Sequence, residues 1–484
     1  MTESHYTELM HLYRGYVEAY NALYTVKTDD EAEIRKIYQF IKCQLIETKI
    51  ASPFSILSDI ESVLVYINRY VKSYLLMAKM IYEEYQVQKI PTVLWNLLNR
   101  EYGIPPEKRE SSNKGIIESK FFLKLMENQE NNQIIRSIMY DDKRTLITIA
   151  ENDSFDKDQE IMRVLYPWAL CEPTLLGLCC YYGSVGCFKY LKTRFEMKIA
   201  PICIELSFLG GDPDIINECL KVHQPNINCM RNAIFTHNID YVTFLKNEYG
   251  IEIDLEFCAK FKNPQAFFAY YDMTDDYNKC FVYSPLFNIR SICDYFLSRG
   301  ADVNARDNNG GTALHVACFH NIIDIAEYLL LNGADINIKD NNGATAFRAA
   351  IINQNLEIAE LLLSHGANVD DRNNNGDSAL QEALFYIGFD TAKFLISHGA
   401  NINSRNDLGL TILHQYMILV RYMKPQLEFL FSNGIDVNVQ DNKGRTALHY
   451  AVASGFEEIT SFLISHGADT EIKDIFGKTP LQLA

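Results

Sequence analysis

A five-residue phrase close to Gly-x-Thr-(Ala/Pro)-Leu returns at a nearly fixed interval through the C-terminal part of the chain. Its third position is occupied in turn by Thr312, Thr345, Ser378, Thr411, Thr446 and Thr479. These positions lie about 33 residues apart, with the step from Thr411 slightly longer, and this is a known period of stacked repeats. A second phrase, close to Gly-Ala-(Asp/Asn)-(Ile/Val)-Asn, keeps the same steps. Two markers with one period predict a stacked repeat, because a unit of this length cannot bury its apolar face alone.

Each period contains two short apolar stretches with helical spacing. In the first full period Leu314, Ala317 and Cys318 fit one helix, while Ile325 and Leu329 fit a second. Runs such as Asp-Asn-Asn-Gly precede the Thr position and are strong turn signals. One period is therefore predicted to be a turn followed by two short helices.

This pattern resembles the ankyrin repeat, with Gly-x-Thr-Ala-Leu-His-x-Ala and then Gly-Ala-x-(Ile/Val)-Asn, from about Gly300 to the C-terminus. Arg348 and Gln381 stand where the repeat normally has His, and Tyr416 stands at the small Ala position. Two extra residues near 417–425 predict a bulge or an altered inner helix in the fourth full unit. The chain stops inside the first helix of another unit, which leaves the preceding unit without a full neighbour.

The N-terminal residues 1–110 predict a helical bundle. Apolar residues with helical spacing indicate one helix over about 6–24, a second opened by a capping box at Thr28 and Glu31, and a third from Pro53 to about Tyr85. Three amphipathic helices of this length are expected to pack on one another.

Three further segments complete the predicted division. Residues 111–169 are a connector with transitional helices, and polar residues 105–132 are expected to be mobile. Residues 170–295 are degenerate ankyrin-like helical pairs, and residues 296–484 are about five regular units plus a truncated one. The fold class is thus all-α, a bundle followed by a solenoid.

The degenerate pairs are predicted from a shorter period. The turns between their helices align at Gly183, Gly211, His237, Lys262 and Asn288, with successive steps of 28, 26, 25 and 26. The missing length equals roughly that of the protruding turn of a regular unit, so these pairs are expected to be stacked units with trimmed hairpins.

The whole arrangement is similar to ankyrin-repeat proteins that some parasitic protists carry in large numbers, with an uncharacterised domain ahead of the repeats. The phrases that carry this resemblance are Gly-Ser-x-x-Cys-Phe-Lys-Tyr-Leu from Gly183 and Phe-Leu-Gly-Gly-Asp-Pro from Phe208. The resemblance implies an interaction protein, and it supplies no ligand.

Charge and composition exclude several function classes. The formal net charge is −17, of which −9 falls on residues 296–484, so direct nucleic-acid binding is not expected. The N-terminus lacks the charged-then-apolar pattern of a signal peptide. No apolar run reaches the roughly 18 residues that span a bilayer, which predicts a soluble cytoplasmic or nuclear protein. The twelve cysteines have no metal-ligand spacing and are expected to be buried free thiols.

No motif for a nucleophile, a nucleotide or a catalytic metal is present, so an enzyme, a cofactor and a small-molecule ligand are not expected. His315, His414 and His449 are expected to hydrogen-bond backbone beside the turns rather than to act in catalysis. The regular recurrence of a second set predicts support of the loop after the second helix, and its members are His365, His398 and His466.

A protein partner is predicted to bind the turn tips and the exposed face of the first helices. Phe319, Phe385 and Tyr386 are the preferred anchors, because large aromatic side chains bury much area; filling the core between repeats is the alternative. Ile352 and Ala453 occupy equivalent helix positions. The full predicted set is Arg306, Asn308, Phe319, His320, Lys339, Asn341, Arg372, Phe385, Tyr386, Arg405 and Lys443.

Two classes of function remain open at this stage. The first is a non-enzymatic adaptor or scaffold, with a regulatory inhibitor whose acidic array masks a basic partner protein as its variant. The second, more remote, is an enzyme activity within residues 1–165, whose Tyr-rich helices lack a convergent acid, base and nucleophile.

Overall fold

The computed structural model of the chain describes residues 4–66, 69–104, 132–152, 155–157, 174–418 and 424–483. Within these ranges the chain is helical and has no strand, apart from the isolated bridges of Arg306 with Thr312 and of Arg372 with Ser378. The all-α prediction is confirmed. The chain divides into two compact units, Met1–Asp275 and Asp276–Ala484. The predicted boundary at 295/296 lies inside the second unit, and the four-segment division stays a prediction.

The first unit opens with six helices. Their bounds are α1 His5–Leu12, α2 Arg14–Tyr24, α3 Glu31–Ile41, α4 Pro53–Tyr66, α5 Val71–Tyr85 and α6 Thr92–Tyr102. The first predicted helix is divided at Tyr13, whose N–H ends α1 on the Leu9 carbonyl while its own carbonyl accepts from Val17. Asp30, not Thr28, caps α3 by accepting from the backbone N–H of Ala32.

The third predicted helix is wrong in its length. It ends at Tyr66, and α5 begins at Val71 after a turn. The apolar spacing continues across this break, because both helices bury the same kind of face, and spacing alone therefore did not reveal it. The predicted mobile connector lies outside the described residues except for Asn132.

Five helical pairs follow in the first unit. Their bounds are α7 Gln133–Met139 with α8 Lys143–Ala150, α9 Leu175–Tyr182 with α10 Val185–Arg194, α11 Ile202–Gly210 with α12 Pro213–Leu220, α13 Ile227–Phe235 with α14 Ile239–Tyr249, and α15 Leu255–Lys260 with α16 Pro264–Thr274. The first pair falls in the predicted connector. The Asp141 carboxylate at its turn accepts from the backbone N–H groups of Gly186 (3.0 Å) and Cys187 (2.8 Å) at the start of α10. The stack therefore begins at α7.

The predicted turns of the shortened pairs are confirmed. Gly183, Gly211, His237, Lys262 and Asn288 all have left-handed backbones, with φ between 50° and 69°. Glycine adopts this region without strain and Asn tolerates it, whereas His237 and Lys262 adopt it at a conformational cost.

Among the N-terminal helices, α2 and α4 pack against turns of the first unit. The Tyr24 ring stacks on His237 at 4.5 Å, and the Tyr66 ring lies 4.5 Å from Phe235. His237 contacts the Asn21 side chain through Nδ1 (2.6 Å) and the Phe261 carbonyl through Nε2 (2.9 Å). The bundle and the shortened pairs of this unit therefore share one core.

Electrostatic attraction between Asp59 and Lys262 also acts between the bundle and a turn. Asp59 on α4 lies inside the core, where burial raises its pKa to about 6, and the positive charge of Lys262 opposes that rise. Burial also lowers the pKa of Lys262, and the negative charge of Asp59 opposes that decrease. The negative charge of Asp59 therefore favours the charged form of Lys262 at this left-handed turn.

The second unit contains six helical pairs within its described residues. Their bounds are α17 Tyr277–Tyr283 with α18 Arg290–Ser298, α19 Ala313–Phe319 with α20 Ile323–Leu331, α21 Ala346–Ile352 with α22 Leu356–Ser364, α23 Ala379–Glu382 with α24 Phe389–Ser397, α25 Ile412–Ile418 with α26 Lys424–Ser432, and α27 Ala447–Ala453 with α28 Glu457–Ser465. A π-helical turn, Ala383–Ile387, extends α23. The predicted bulge near 417–425 falls largely on residues outside the described ranges.

Long hairpins connect these pairs and stack directly on each other. The Asp307 carboxylate folds one tip by accepting from the backbone N–H groups of Asn309 and Gly311. The Asn341 side chain of the next tip donates to the Asn308 carbonyl at 3.0 Å. Gly343 has a φ of +77°, and a Cβ there would lie 2.7 Å from the backbone nitrogen of Asn374. Hairpin stacking therefore requires a glycine at this position.

The stacking requirement can be measured with two alanine substitutions. Gly343→Ala combines a positive φ with a collision, whereas Gly333→Ala has a similar φ of +86° and nothing within 4 Å of its Cβ. We expect Gly333→Ala to lower the free energy of unfolding by roughly 1 kcal/mol, from backbone strain alone. Gly343→Ala should lower the free energy of unfolding by at least about 1 kcal/mol more than Gly333→Ala does. Urea unfolding of both variants checks this, and equal losses would contradict direct hairpin stacking.

Candidate functional site

Three of the first helices in the second unit expose a large apolar side chain at equivalent positions. Phe319, Ile352 and Ile418 end their helices and are 49%, 45% and 44% exposed. Ile352 lies one repeat period after Phe319, and Ile418 lies two periods after Ile352. Phe385 occupies the intervening position, but its side chain and that of Tyr386 lie outside the described residues. We call the surface lined by these helix ends and the adjoining hairpins the repeat groove.

Hairpin and helix side chains meet in a cleft within the repeat groove. The cleft has a volume of about 560 Å³ and is lined on one side by Ile352 and Ile418. Asn373, Asn375 and Asp377 from a hairpin line the other side. An apolar strip beside polar hairpins is the arrangement that protein interfaces use, with an apolar centre and a polar rim.

The carboxylates of this cleft are satisfied within the unit. Asp377 accepts from the side chains of Gln415 (2.8 Å) and Asn406 (2.9 Å). Glu382 lies 2.6 Å from the Arg348 guanidinium and accepts from Asn373 at 2.9 Å. The polar rim is therefore held in place before any partner binds, which lowers the entropic cost of binding.

The basic side chains predicted at the hairpin tips reach neighbouring hairpins. Arg306 donates to the Lys339 carbonyl, Lys339 to the Arg372 carbonyl (2.6 Å), and Arg372 to the Arg405 carbonyl (2.9 Å). Arg405 continues the series by donating to the side chain of Asn442 at 3.3 Å. These four cations form a ladder along the unit, each satisfying an acceptor one repeat ahead.

The remaining predicted residues have mixed surroundings. Asn341 belongs to the hairpin stack described above, while Asn308 and Lys443 are exposed at their tips. His320 is exposed, and its ring centroid lies 4.9 Å from that of Phe319. Partner binding by the eleven residues stays a prediction. Ile418 was missed, because the two extra residues after it obscured the repeat alignment; counting one repeat period on from Phe385 finds it.

The structural role expected for the first set of histidines is confirmed. His315 Nδ1 accepts from the backbone N–H of Thr312 at 3.2 Å, and Nε2 donates to the Ala344 carbonyl of the next repeat at 3.0 Å. His414 and His449 repeat both bonds. One acceptor and one donor nitrogen match a neutral ring, and burial lowers the pKa of all three imidazoles.

The two residues that replace this His keep its hydrogen bond to the next repeat. Gln381 accepts from the Ser378 N–H through Oε1 (2.9 Å) and donates to the Leu410 carbonyl through Nε2 (3.0 Å). Arg348 donates to the Asp377 carbonyl at 2.9 Å. The second set of histidines caps helices instead, and each has a ring nitrogen within hydrogen-bond distance of a carbonyl four residues back: His365, His398 and His466.

The described parts of the chain hold no group of three or more His, Cys, Asp or Glu side chains that could bind a metal ion. No described helix is both long enough and apolar enough to cross a bilayer. The eleven cysteines within the described ranges are all free thiols, and all of them except Cys43 are buried.

Comparison with known families identifies two kinds of segment. A model described as "Domain of unknown function (DUF3447)" matches residues 195–270, which begin just before α11 and end within α16. A model described as "Ankyrin repeats (3 copies)" matches residues 255–340, 330–406 and 416–484. The first ankyrin match thus starts before the regular period and overlaps the domain of unknown function, which coincides with shortened pairs. A search of curated proteins finds no match.

Replacing the three hairpin histidines with glutamine should remove part of the pH dependence of folding. Because burial depresses their pKa below 6.5, their contribution to stability is present above about pH 6.5 and is lost as the pH falls through that value. The triple variant His315→Gln, His414→Gln and His449→Gln copies Gln381, which cannot titrate. We expect the wild type to lose more unfolding free energy than the variant between about pH 7.5 and pH 5.5.

Urea unfolding across this pH range checks the prediction. Carboxylates titrate equally in both proteins, so the difference between the two curves isolates the imidazoles. Parallel curves would show that these rings are not held neutral by the fold.

Proposed function

Because this chain is an ankyrin-repeat protein with a domain of unknown function beside the repeats, we propose that it is a non-enzymatic adaptor. Ankyrin repeats are protein–protein interaction modules. In the proposal, the repeat groove holds the partner protein. The observation that carries it is the recurrence of a large exposed apolar side chain at the same helix end in three repeats, as Phe319, Ile352 and Ile418.

The spacing of these side chains suggests an elongated partner element. Neighbouring packed helices are about 8–10 Å apart, so the positions from Phe319 to Ile418 extend over roughly 30 Å. This equals the length of a helix of about 20 residues. Truncating one anchor in such an interface typically costs more than about 1 kcal/mol when it is fully covered.

The first unit provides an internal precedent for a helical occupant. Phe235 lies two residues before the left-handed turn residue His237, as Phe319 lies two residues before Asn321. Phe235 is buried, because aromatic rings of the N-terminal helices, including Tyr66, cover it. Equivalent positions in the second unit have no such cover among its described residues. An amphipathic helix with an aromatic face is therefore the partner element that we propose.

A regulatory inhibitor is the nearest variant, and net charge favours it. Residues 296–484 carry a net charge of −9, so a basic partner surface would be attracted to them. We place the interaction in the cytoplasm, because ten described cysteines are buried as free thiols, as reducing compartments favour.

Two substitutions in the groove test the adaptor proposal. The full-length protein is used to capture partners from a lysate of the cells that express it, and captured proteins are identified by mass spectrometry. Phe319→Ala with Ile352→Ala should weaken partner binding at least about tenfold. Leu331→Ala is the matched control, because Leu331 is 75% exposed at the end of a second helix, away from the groove. Equal retention of every partner by both variants would contradict the groove assignment.

Salt dependence separates the inhibitor from the general adaptor. If acidic residues attract a basic partner, raising NaCl from about 50 mM to about 500 mM should weaken binding steeply, because the screening length falls to about 4 Å. Affinity measured by titration calorimetry at several salt concentrations checks this. Binding that does not change with salt would remove the inhibitor variant and leave the apolar groove as the source of affinity.

A further inference from the structure

A second cleft lies within the first unit. It has a volume of about 290 Å³ and is bordered by the ends of α2 and α4 and by three turns of the shortened pairs. Its walls include Gly183 and residues 209–213, which belong to the two phrases singled out in the sequence. Ligand clefts in proteins begin at about this size.

Close contact between turns makes one wall of this cleft rigid. A Cβ on Gly183 would lie 2.7 Å from the Gly210 carbonyl oxygen, and one on Gly210 would lie 2.6 Å from the Gly183 nitrogen. The Tyr241 hydroxyl donates to the Gly211 carbonyl at 3.1 Å. The backbone of this wall is therefore fixed by packing and hydrogen bonding, which preorganises the cleft.

Tyrosines form the other walls. Tyr66, Tyr70 and Tyr182 are among the five that line the cleft. The Tyr181 hydroxyl, also in the lining, donates to the Tyr66 carbonyl at 2.7 Å and ties the bundle to the stack. Aromatic faces of this kind hold planar rings by stacking.

The cleft is positively charged in a chain with a net charge of −17. Lys27 and Arg69 line it, and neither has a carboxylate partner among the described residues. Arg69 donates to the Tyr182 carbonyl (3.3 Å), with its guanidinium carbon 5.9 Å from the Tyr70 ring centroid. The one lining carboxylate, Asp212, accepts from the Ile215 N–H at 3.0 Å as the cap of α12.

Two helix starts also border the cleft. Asp212 and Asn238, the residues that precede α12 and α14, both line the cleft. The N-terminal end of a helix carries a partial positive charge, which favours anions. Two cations and an aromatic wall thus border one cleft, beside two helix starts that are capped by their own side chains.

We propose that this cleft binds a small organic anion with a planar ring, whose phosphate or carboxylate group contacts Lys27 and Arg69 and whose ring packs on the tyrosines. Such a ligand was not expected from the sequence. The site lies in the other compact unit from the repeat groove, so it does not depend on the adaptor function.

Phenyl phosphate is the probe, with inorganic phosphate and phenol as its charge-only and ring-only counterparts. Titration calorimetry on the full chain should show phenyl phosphate binding about tenfold more tightly than either counterpart, because charge and stacking act together. Lys27→Gln should weaken phenyl phosphate binding about tenfold, since a charged hydrogen bond is lost. Tyr70→Leu should weaken phenyl phosphate and leave inorganic phosphate unchanged.

Lys36→Gln is the matched control, because Lys36 is exposed on α3 and does not line the cleft. It should bind phenyl phosphate as the wild type does. Unfolding curves verify that every variant is folded. Absence of binding at millimolar phenyl phosphate, or equal affinity of Lys27→Gln and Lys36→Gln, would overturn the proposal. Benzoate, in which a carboxylate replaces the phosphate group, then shows which of the two anionic groups the site prefers.

Discussion

The second unit depends on one hydrogen bond that crosses from each repeat to the next. His315 donates from its first helix to the Ala344 carbonyl beside the following hairpin, and the same position repeats the bond in later units. Each bond contributes only about 1 kcal/mol net, but leaving the buried carbonyl unpaired would cost more. Because every repeat contacts only its neighbours, this bond fixes the relative placement of successive hairpins and thereby shapes the groove.

The first unit stacks its helical pairs with shorter hairpins, and the N-terminal helices cover the turns between these pairs. Its shortened pairs place their turns against the N-terminal helices, where the Tyr24 and Tyr66 rings pack on Phe235 and His237. The chain's own helices therefore bury what the regular repeats leave exposed. Burying aromatic side chains stabilises by roughly 25 cal/mol per Å², so this cover is a major source of cohesion for units that lack long hairpins. The bundle is a structural partner of the shortened pairs rather than a separate head.

Sequence pattern predicted the local features well, because turns and helix spacing are local. Aligning five turns at Gly183, Gly211, His237, Lys262 and Asn288 located five left-handed residues, three of them without glycine's freedom. Helices were expected within residues 111–169, but the pair α7–α8 was not recognised as part of the stack, because it is tied to the stack by a carboxylate that caps a helix far along the chain. Long-range contacts could not be read in this way. No spacing rule connects Asn21 with His237, or Tyr66 with Phe235, although these contacts unite the bundle with the stack. The groove was predictable in outline, because the helix ends recur once per repeat period from Phe319. The sequence could not indicate which side chains at the hairpin tips already form hydrogen bonds with neighbouring hairpins.

That distinction changes how partner specificity is assigned within the repeats. Arginine and asparagine at exposed tips are common recognition residues, yet here Arg372 and Asn374 donate to backbone carbonyls of neighbouring hairpins. Using them for a partner would leave those carbonyls to water, which reduces the net gain from each new contact. Apolar helix ends such as Ile352 carry no such cost, because they have no hydrogen bond to give up. Discrimination between partners should therefore be concentrated at the helix ends, with the hairpins acting chiefly as a rigid rim.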